Sequence, residues 1–218
     1  KQSPNHQTII NNGGQMGAYN GWERANWFAK DGDDTSENST QTWNREGPWF
    51  SRVREECLAV NRNVGVLDLP GFSRFKVEGP GASEFLLSKI SGNLPAIDRM
   101  NLAYFPDERG RVLTEMSIMR HDLNKFTLIT AGAAQWHDYE ILKLGINKNQ
   151  NVEVSDITNN WTCLIVTGPN SRSLINSISN ADLTLPWLSL QNAKIENKQI
   201  LLARVSYAGE LGWEIHAK

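Results

Sequence analysis

The chain lacks the cysteine pattern of a disulfide-rich or metal-binding protein. Its 218 residues include only two cysteines, Cys57 and Cys163, which lie far apart in the sequence. A disulfide framework needs more cysteines, and a structural metal site or a redox motif usually contains a C-x-x-C pair. We therefore expect two free thiols in a reducing compartment.

The common metal and nucleotide motifs are also missing. The four histidines show neither H-x-x-x-H nor H-E-x-x-H spacing, so the sequence supports no metal site. Residues 13–17 are rich in glycine but depart from G-x-G-x-x-G, and no Walker A loop is present. This segment is at best a turn or a point of close backbone approach.

Neither sign of charge is in excess. Lys and Arg number 22 against 24 Asp and Glu, for a formal net charge of −2 and a pI of about 6.1. A nucleic-acid binder normally carries a basic stripe, and no apolar run approaches the length of a membrane span. We expect a globular protein of one domain or one and a half, with no nucleic-acid partner and no membrane span. The sequence does not indicate an oligomeric state.

The first 42 residues differ in composition from the rest. They are rich in Asn, Gly, Gln and Ser, and bulky apolar side chains occur mainly between residues 19 and 28. This composition predicts a loop-rich connector with an aromatic plug. From residue 43 onward, helical and strand-like periodicities follow one another to the end of the chain, which predicts an α+β fold.

Two similar turns divide the α+β region. Residues 77–81 (VEGPG) and 166–170 (VTGPN) each follow a predicted strand and open a predicted helix. Glycine suits a tight exit from a strand, and proline suits the first turn of a helix. The repetition predicts two related α+β halves. Two unrelated strand-to-helix turns are the alternative.

A first candidate functional group, Glu115, lies inside the apolar strand predicted over residues 112–119. Strict alternation places it on the same face as Met119. Burying a carboxylate without a partner is costly, so Glu115 must be paired, hydrogen-bonded or used. An ion pair with Arg111 or Arg120, or a solvated sheet face, is the simpler explanation.

A second candidate, Glu210, lies between Gly209 and Gly212 in a predicted turn between two strands. Glycines let a backbone approach a ligand closely, and a carboxylate can accept two hydrogen bonds from a planar ligand that carries N–H groups. A solvated glutamate in a simple hairpin turn explains the spacing equally well.

Six segments, taken in order, resemble the folate-dependent aminomethyltransferase family, which has the fold of the glycine-cleavage T protein. The most similar branch is the one fused behind a flavin amine dehydrogenase, represented by dimethylglycine and sarcosine dehydrogenases. The segments are GWERANWF (21–28), EECLAV (55–60), VGVLDLPGFSRFKVEGPGA (64–82), ERGRVLTEMSI (108–118), VTGPNSR (166–172) and SYAGELGWEIH (206–216). The first and the last of them are the most specific.

The resemblance implies a T-protein-like folate-binding fold with two related α+β halves. Residues 1–42 then correspond to the loop-rich C-terminal tail of an FAD-dependent oxidoreductase domain. Residues 43–218 correspond to the N-terminal part of the tetrahydrofolate-binding domain, truncated at its C-terminus. The implied cofactors are tetrahydrofolate and, in a domain mostly absent from this chain, FAD.

The implied activity is that of a flavin-dependent dehydrogenase for a small N-methyl amino acid, dimethylglycine or sarcosine. In this family the flavin oxidises an N-methyl group to an iminium, and tetrahydrofolate captures the carbon as 5,10-methylene-tetrahydrofolate. A stand-alone aminomethyltransferase, a demethylase of the same fold and a non-catalytic regulatory homologue are the alternatives. The abundance of Asn, Ile and Lys favours a bacterial cytoplasm, with the mitochondrial matrix as the alternative.

The resemblance assigns roles to both carboxylates. Glu115 matches the catalytic position, where T proteins have the second Asp of a Gly-Gly-x-x-Asp-Asp run, and Thr114 replaces the first Asp. A carboxylate there can stabilise a cationic intermediate and assist proton removal. Glu210 matches the glutamate that clamps the amino and ring N–H groups of the pterin.

Four further residues are implied as folate contacts. Phe72 replaces a methionine that lines the pterin pocket, which keeps an apolar wall. Leu102 and Thr130 stand where T proteins have a tyrosine and an asparagine. Tyr207 precedes the clamp and either forms a wall of the pocket or packs as an aromatic residue at a strand end.

Overall fold

Alternating apolar residues form the antiparallel strands on which the fold is built. The computed structural model describes residues 1–36, 45–146 and 150–218. The predicted boundary between residues 1–42 and 43–218 lies outside the described residues. The helices are α1 (His6–Asn11), α2 (Phe50–Arg62), α3 (Ala82–Lys89), α4 (Gln135–Lys143) and α5 (Ser171–Ile178).

Within the described residues, the strands form one two-stranded hairpin and two five-stranded antiparallel sheets. They are β1 (Gly14–Tyr19), β2 (Trp22–Phe28), β3 (Gly65–Asp68), β4 (Phe72–Glu78), β5 (Arg99–Pro106), β6 (Val112–Asp122), β7 (Lys125–Ala131), β8 (Glu153–Asp156), β9 (Thr162–Thr167), β10 (Leu190–Ile195), β11 (Lys198–Ala203) and β12 (Gly212–Ala217). The first sheet has the order β5-β6-β7-β4-β8, and the second has the order β10-β11-β12-β9-β3.

Each sheet buries one face under helices. In the first half, apolar residues of β4 to β7 pack against α3 and α4, and Phe75, Phe105, Ile118 and Phe126 are almost fully buried. In the second half, Val166, Trp213 and Ile215 pack against Ile175 of α5. Both cores follow from period-two apolar patterns in the strands.

The two halves repeat one arrangement: a strand, a helix and then three antiparallel strands. The order β5-β6-β7-β4 in the first sheet matches β10-β11-β12-β9 in the second. The halves also exchange a strand, because β3 precedes the first half in the chain but pairs with β9, and β8 pairs with β4. Gly79 and Gly168 adopt nearly the same left-handed conformation, with φ of +120° and +118°. The prediction of two related α+β halves is confirmed.

A third apolar cluster joins the halves. Met100 and Met119 of the first sheet pack against Leu190, Leu201 and Ala203 of the second. The starts of the edge strands β5 and β10 also meet, because the Met100 N–H donates to the Leu188 carbonyl at 2.9 Å and the Leu190 N–H donates to the Asp98 carbonyl at 2.8 Å. We call the face of each sheet that lies toward the other half its inner face.

The N-terminal segment is more regular than the sequence analysis predicted. The described residues 1–36 contain α1 and the β1–β2 hairpin, where a loop-rich connector was expected. The hairpin turn is Asn20-Gly21, with φ of +51° and +79°. Asn-Gly is a strong signal for a tight hairpin turn, because both residues tolerate the left-handed conformation. Trp27 is buried, in keeping with the expected aromatic plug.

The segment is tied to the second sheet through Asp68 of β3. Its carboxylate accepts hydrogen bonds from the Ser3 hydroxyl at 2.5 Å and from the Asn5 side-chain amide at 2.9 Å. Residues 1–36 are therefore in contact with the two-sheet body. None of the helices in the described residues has the length and apolar character needed to cross a membrane.

Candidate functional site

Glu115 lies on the inner face of the first sheet, as alternation along β6 predicted. Met116 and Ile118 point toward the helices and are buried, whereas Glu115 and Met119 point to the opposite face. Met119 packs against the second half, but Glu115 lies further toward the start of β6 and is exposed. Its cross-strand partner on β5 is Tyr104.

Neither predicted ion pair of Glu115 forms. Arg111 pairs with Asp107 at 2.7 Å, and Arg120 donates to the backbone carbonyls of Pro95 and Leu123 at 3.1 and 3.0 Å. Among residues 1–36, 45–146 and 150–218, Glu115 has no hydrogen-bond or ion-pair partner for its side chain. The carboxylate is therefore free to act on something outside these residues.

An exposed apolar surface surrounds Glu115. Tyr104 is 44% exposed, Leu102 is 50% exposed and Phe72 is 36% exposed, and strand parity puts all three on the inner face. We call Phe72, Leu102, Tyr104 and Glu115 the open inner face. Exposed apolar groups clustered around a carboxylate are typical of a binding surface. Sequence reasoning missed Tyr104, although its pairing with Glu115 follows from the register of the β5–β6 hairpin.

Thr130 lies on the other side of the sheet. Its neighbour Ile129 points to the inner face, whereas Thr130 is 5% exposed and points toward α4. Its hydroxyl donates to Asp138 at 2.5 Å, and the same carboxylate oxygen accepts the Thr114 hydroxyl at 3.0 Å. The structure therefore does not bring Thr130 together with Glu115, and its folate contact stays a prediction.

Asp138 is the centre of this hidden polar network. It is fully buried, and its second carboxylate oxygen lies 2.8 Å from Nδ1 of His137. Three partners offset the cost of burying the carboxylate. Sequence reasoning missed Asp138. Its place in the first turn of α4, where a negative charge is favourable, is the signal that could have found it.

Glu210 lies in the loop between β11 and β12, residues 204–211. Gly209 has φ of +101°, which favours glycine, and its N–H donates to the Ser206 hydroxyl at 3.0 Å. Glu210 lines an open cavity of about 380 Å³ together with Trp187, Arg204, Ser206, Gly209 and Leu211. Within the described part of the chain, the Glu210 carboxylate has no hydrogen-bond or ion-pair partner.

Trp187 and Arg204 are cavity residues that sequence reasoning missed. Trp187 is 57% exposed, and its indole can stack on a planar ligand. Arg204 donates to the Gly212 carbonyl at 3.2 Å and lies over the Trp213 ring. Burial, with a smaller effect from nearby Arg172, lowers the pKa of Arg204 below its usual range. It nevertheless stays charged at neutral pH.

Tyr207 does not join the cavity. It is fully exposed at the tip of the loop and does not line the cavity with Glu210. Trp213, the second residue of β12, packs in the core of the second half. Of the residues predicted from the resemblance, the structure groups Glu115, Phe72 and Leu102 on the open inner face and places Glu210 in the cavity.

The second Gly-Pro turn holds the end of the Glu210 loop. The carbonyl of Leu211 accepts the Gly168 N–H at 2.8 Å. Two hydroxyls also lie within hydrogen-bond distance of that oxygen, Ser171 at 3.0 Å and Thr167 at 3.4 Å. The backbone next to Glu210 is therefore fixed by the end of β9, the Gly-Pro turn and the first residue of α5.

A separate polar cluster is buried between the halves. Ligand atoms of Cys163, Glu214 and His216 lie within 4.8 Å of one another, and His216 contacts the Glu214 carboxylate at 3.0 Å. Arg74 of β4, 4% exposed, is close to Cys163 and Glu214. Burial raises the pKa of the Cys163 thiol far above its usual range, and burial also lowers the pKa of Arg74. The positive charge of the Arg74 guanidinium beside these groups disfavours a bound cation.

Comparisons with known proteins identify what the chain is similar to. The family profile that matches is described as the GCVT N-terminal domain, and the match covers residues 5–218. The mitochondrial dimethylglycine dehydrogenase of Rattus norvegicus is 31% identical over 205 residues, which are 92% of this chain and 24% of that protein. The aminomethyltransferase of Staphylococcus epidermidis is 26% identical over 222 residues, which are 100% of this chain and 55% of that protein.

A solved structure shares the fold. The glycine cleavage system aminomethyltransferase T from Bartonella henselae superposes with a TM-score of 0.77 at 20% sequence identity. The superposition covers 100% of this chain and 53% of that one. The chain thus spans about a quarter of the length of the dehydrogenase and about half the length of the aminomethyltransferases. The predicted T-protein-like fold is confirmed.

Proposed function

The chain belongs to the family of GCVT N-terminal domains, and we propose that it is the folate-binding part of a flavin-dependent N-methyl amino acid dehydrogenase. The observation that carries this proposal is the cavity at Glu210. A carboxylate without a partner among the described residues, an exposed indole and a guanidinium surround a volume of about 380 Å³. The similarity to dimethylglycine dehydrogenase supports the choice of activity.

The chemistry of the cavity fits tetrahydrofolate. A pterin ring is planar and carries amino and ring N–H groups, which the Glu210 carboxylate can accept as two charge-assisted hydrogen bonds. Trp187 offers a stacking surface, and the Arg204 guanidinium can donate to the carbonyl oxygen of the same ring. The cavity volume lies within the range of small-ligand sites.

Glu115 is the proposed catalytic residue. When bound, tetrahydrofolate supplies the amine that takes up a one-carbon unit. The unpaired carboxylate of Glu115 can accept a proton or stabilise a developing positive charge. Phe72, Leu102 and Tyr104 surround it with apolar groups, which strengthen such an electrostatic interaction when a ligand displaces water.

We assign the oxidation of the N-methyl group to FAD held by other sequence in the intact protein. Dimethylglycine and sarcosine are the proposed substrates. The presence of bound FAD is checked by the absorbance spectrum of the purified intact protein.

The proposal is tested by titrating the intact protein with tetrahydrofolate. Glu210→Gln replaces one acceptor oxygen with a donor, and we expect the Kd to rise at least about tenfold. The matched control is Glu196→Gln, because Glu196 is an exposed glutamate in the β10–β11 turn of the same half. Absence of binding by the unaltered protein, or equal binding by Glu210→Gln, would contradict the proposal.

A stand-alone aminomethyltransferase is the second candidate. The similarity to the Staphylococcus epidermidis aminomethyltransferase extends over the whole chain, which favours it. Binding of tetrahydrofolate by a protein without bound flavin or amine oxidation would select this candidate. Binding without any turnover of N-methyl amino acids or aminomethyl donors would instead indicate a regulatory homologue.

A further inference from the structure

Ser171 occupies a place from which it can control the Glu210 loop. It is the first residue of α5 and is fully buried. Its hydroxyl lies 2.5 Å from the Gly168 carbonyl oxygen and 3.0 Å from the Leu211 carbonyl oxygen. The hydroxyl has one proton to share between these acceptors, and Leu211 is the residue directly after Glu210.

The first half shows that the turn itself does not need this hydroxyl. Ala82 stands in the first half where Ser171 stands in the second, three residues after the glycine of the Gly-Pro turn. Both residues are fully buried, and both donate their backbone N–H to that glycine, at 2.9 Å for Ala82 and 3.0 Å for Ser171. The hydroxyl is therefore an addition found in the half that carries Glu210.

The two Gly-Pro turns also bind different segments of the chain. In the first half, the Gly79 N–H donates to Asn124, in the tight connection of Leu123 and Asn124 between β6 and β7. In the second half, the corresponding connection is residues 204–211, and Tyr207, Ala208 and Gly209 at its tip are exposed. A longer, exposed loop loses more conformational freedom when its ligand group is fixed.

We infer that Ser171 is a positioning residue that orients Glu210 by holding the Leu211 carbonyl. This inference rests on the proposed function of Glu210 as the folate clamp. A ligand group that is already fixed binds more tightly than one that must be ordered on binding. Loss of the hydroxyl should therefore weaken folate binding without disturbing the turn, as the alanine at residue 82 indicates.

The first measurement is the tetrahydrofolate Kd of the intact protein carrying Ser171→Ala. We expect the Kd to rise about threefold to tenfold, the range of one hydrogen bond. Ser83→Ala is the matched control, because the Ser83 hydroxyl bonds the Leu123 carbonyl at 2.5 Å beside the turn of the first half. This control should leave the Kd unchanged. Ser171→Cys replaces the hydroxyl with a slightly larger and much weaker donor, and it is used if Ser171→Ala fails to fold.

A double-mutant cycle separates positioning from a general structural effect. If Ser171 acts through Glu210, Ser171→Ala should weaken binding far less when Glu210→Gln is already present. If Ser171→Ala raises the Kd by the same factor with and without Glu210→Gln, the inference is overturned. Equal binding by Ser171→Ala and the unaltered protein would overturn it as well.

Hydrogen exchange tests the anchor without using folate. Amides of residues 207–211 should exchange faster in Ser171→Ala, while amides of the β6–β7 connection should not change. Unchanged exchange in residues 207–211 would overturn the inference whatever the protein binds. The unaltered protein could fail to bind tetrahydrofolate while the exchange difference is still seen. That result would contradict the proposed function but support the role of Ser171 in holding the Leu211 carbonyl.

Discussion

The two halves of the molecule share one topology but carry their polar groups in different places. In the first half, the candidate carboxylate is Glu115, which projects from a regular strand onto the open inner face. In the second half, it is Glu210, which lies in the loop before β12. The two halves have similar cores, and the candidate site lies where the halves differ.

The difference also concerns what each half buries. The first half buries a carboxylate, Asp138, beneath its sheet and satisfies it with neighbouring hydroxyls. The second half buries apolar groups on its helix side, where α5 packs, and places polar groups at the interface with the first half. Helix-side packing therefore serves stability in both halves, whereas the open inner face and the 204–211 loop are free for a ligand.

The largest expected effects come from matched core positions. Phe126 pairs with Val77 in the first half as Trp213 pairs with Val166 in the second. Each aromatic residue is almost fully buried, so replacement by alanine should lower the free energy of unfolding by about 3–5 kcal/mol. Denaturant unfolding followed by circular dichroism measures this loss.

The same pair tests whether the halves unfold together. They exchange strands β3 and β8 and share an apolar cluster, so both variants should shift one common transition. Two separate transitions, each moved by only one of the variants, would show that the halves are independent folding units.

A smaller effect is expected at Asp138. Asp138→Ala leaves the Thr114 and Thr130 hydroxyls without their acceptor and should lower the free energy of unfolding by about 1–3 kcal/mol. Because Thr130 faces the helices, tetrahydrofolate affinity well below the melting temperature should stay the same. Glu140→Ala, an exposed change on the same helix, is the control. Weaker folate binding by Asp138→Ala would instead link this network to the ligand.

The smallest effect is a dependence of stability on pH through His121. Burial, aided by Lys125 and His216, lowers the pKa of His121 below 6.5, although Asp98 opposes the shift. A lowered pKa means that the unfolded chain takes up the proton first. The contribution of neutral His121 to the free energy of unfolding is therefore present above pH 6.5. It is lost as the pH falls through the folded-state pKa.

Melting temperatures measured between pH 8 and pH 5 test this pH dependence. In His121→Gln, the melting temperature should fall less below pH 6.5, because the group that takes up a proton on unfolding has been removed. An identical decline in His121→Gln would assign the effect to other groups.

Much of the fold could be predicted because its signals are local. The Gly-Pro turns mark both strand-to-helix exits, and alternation along residues 112–119 gives the correct face for Glu115. The β1–β2 hairpin was missed because the Asn20-Gly21 signal was overlooked in a segment of polar composition. Strand β10 was missed because polar residues separate its two buried positions, Leu190 and Ala193.

The site could be predicted only in part because its members are distant in sequence. Trp187 comes close to Glu210 just beyond the β10–β11 pairing, where the Leu188 N–H donates to the Arg204 carbonyl at 2.7 Å. Without β10, no periodicity links them. Thr130 was assigned from a resemblance that does not specify the face of the strand. Strand parity in the folded sheet places it on the side away from Glu115.

The central claim is that the two halves have different roles. Glu210 of the second half binds the folate, and Glu115 of the first half assists the chemistry. The most direct test measures tetrahydrofolate Kd and turnover of dimethylglycine or sarcosine for Glu115→Gln and Glu210→Gln in the intact protein. We predict that Glu210→Gln mainly raises the Kd, whereas Glu115→Gln keeps the Kd and loses folate-dependent formation of 5,10-methylene-tetrahydrofolate. Full turnover by Glu115→Gln, or unchanged binding by Glu210→Gln, would contradict the account.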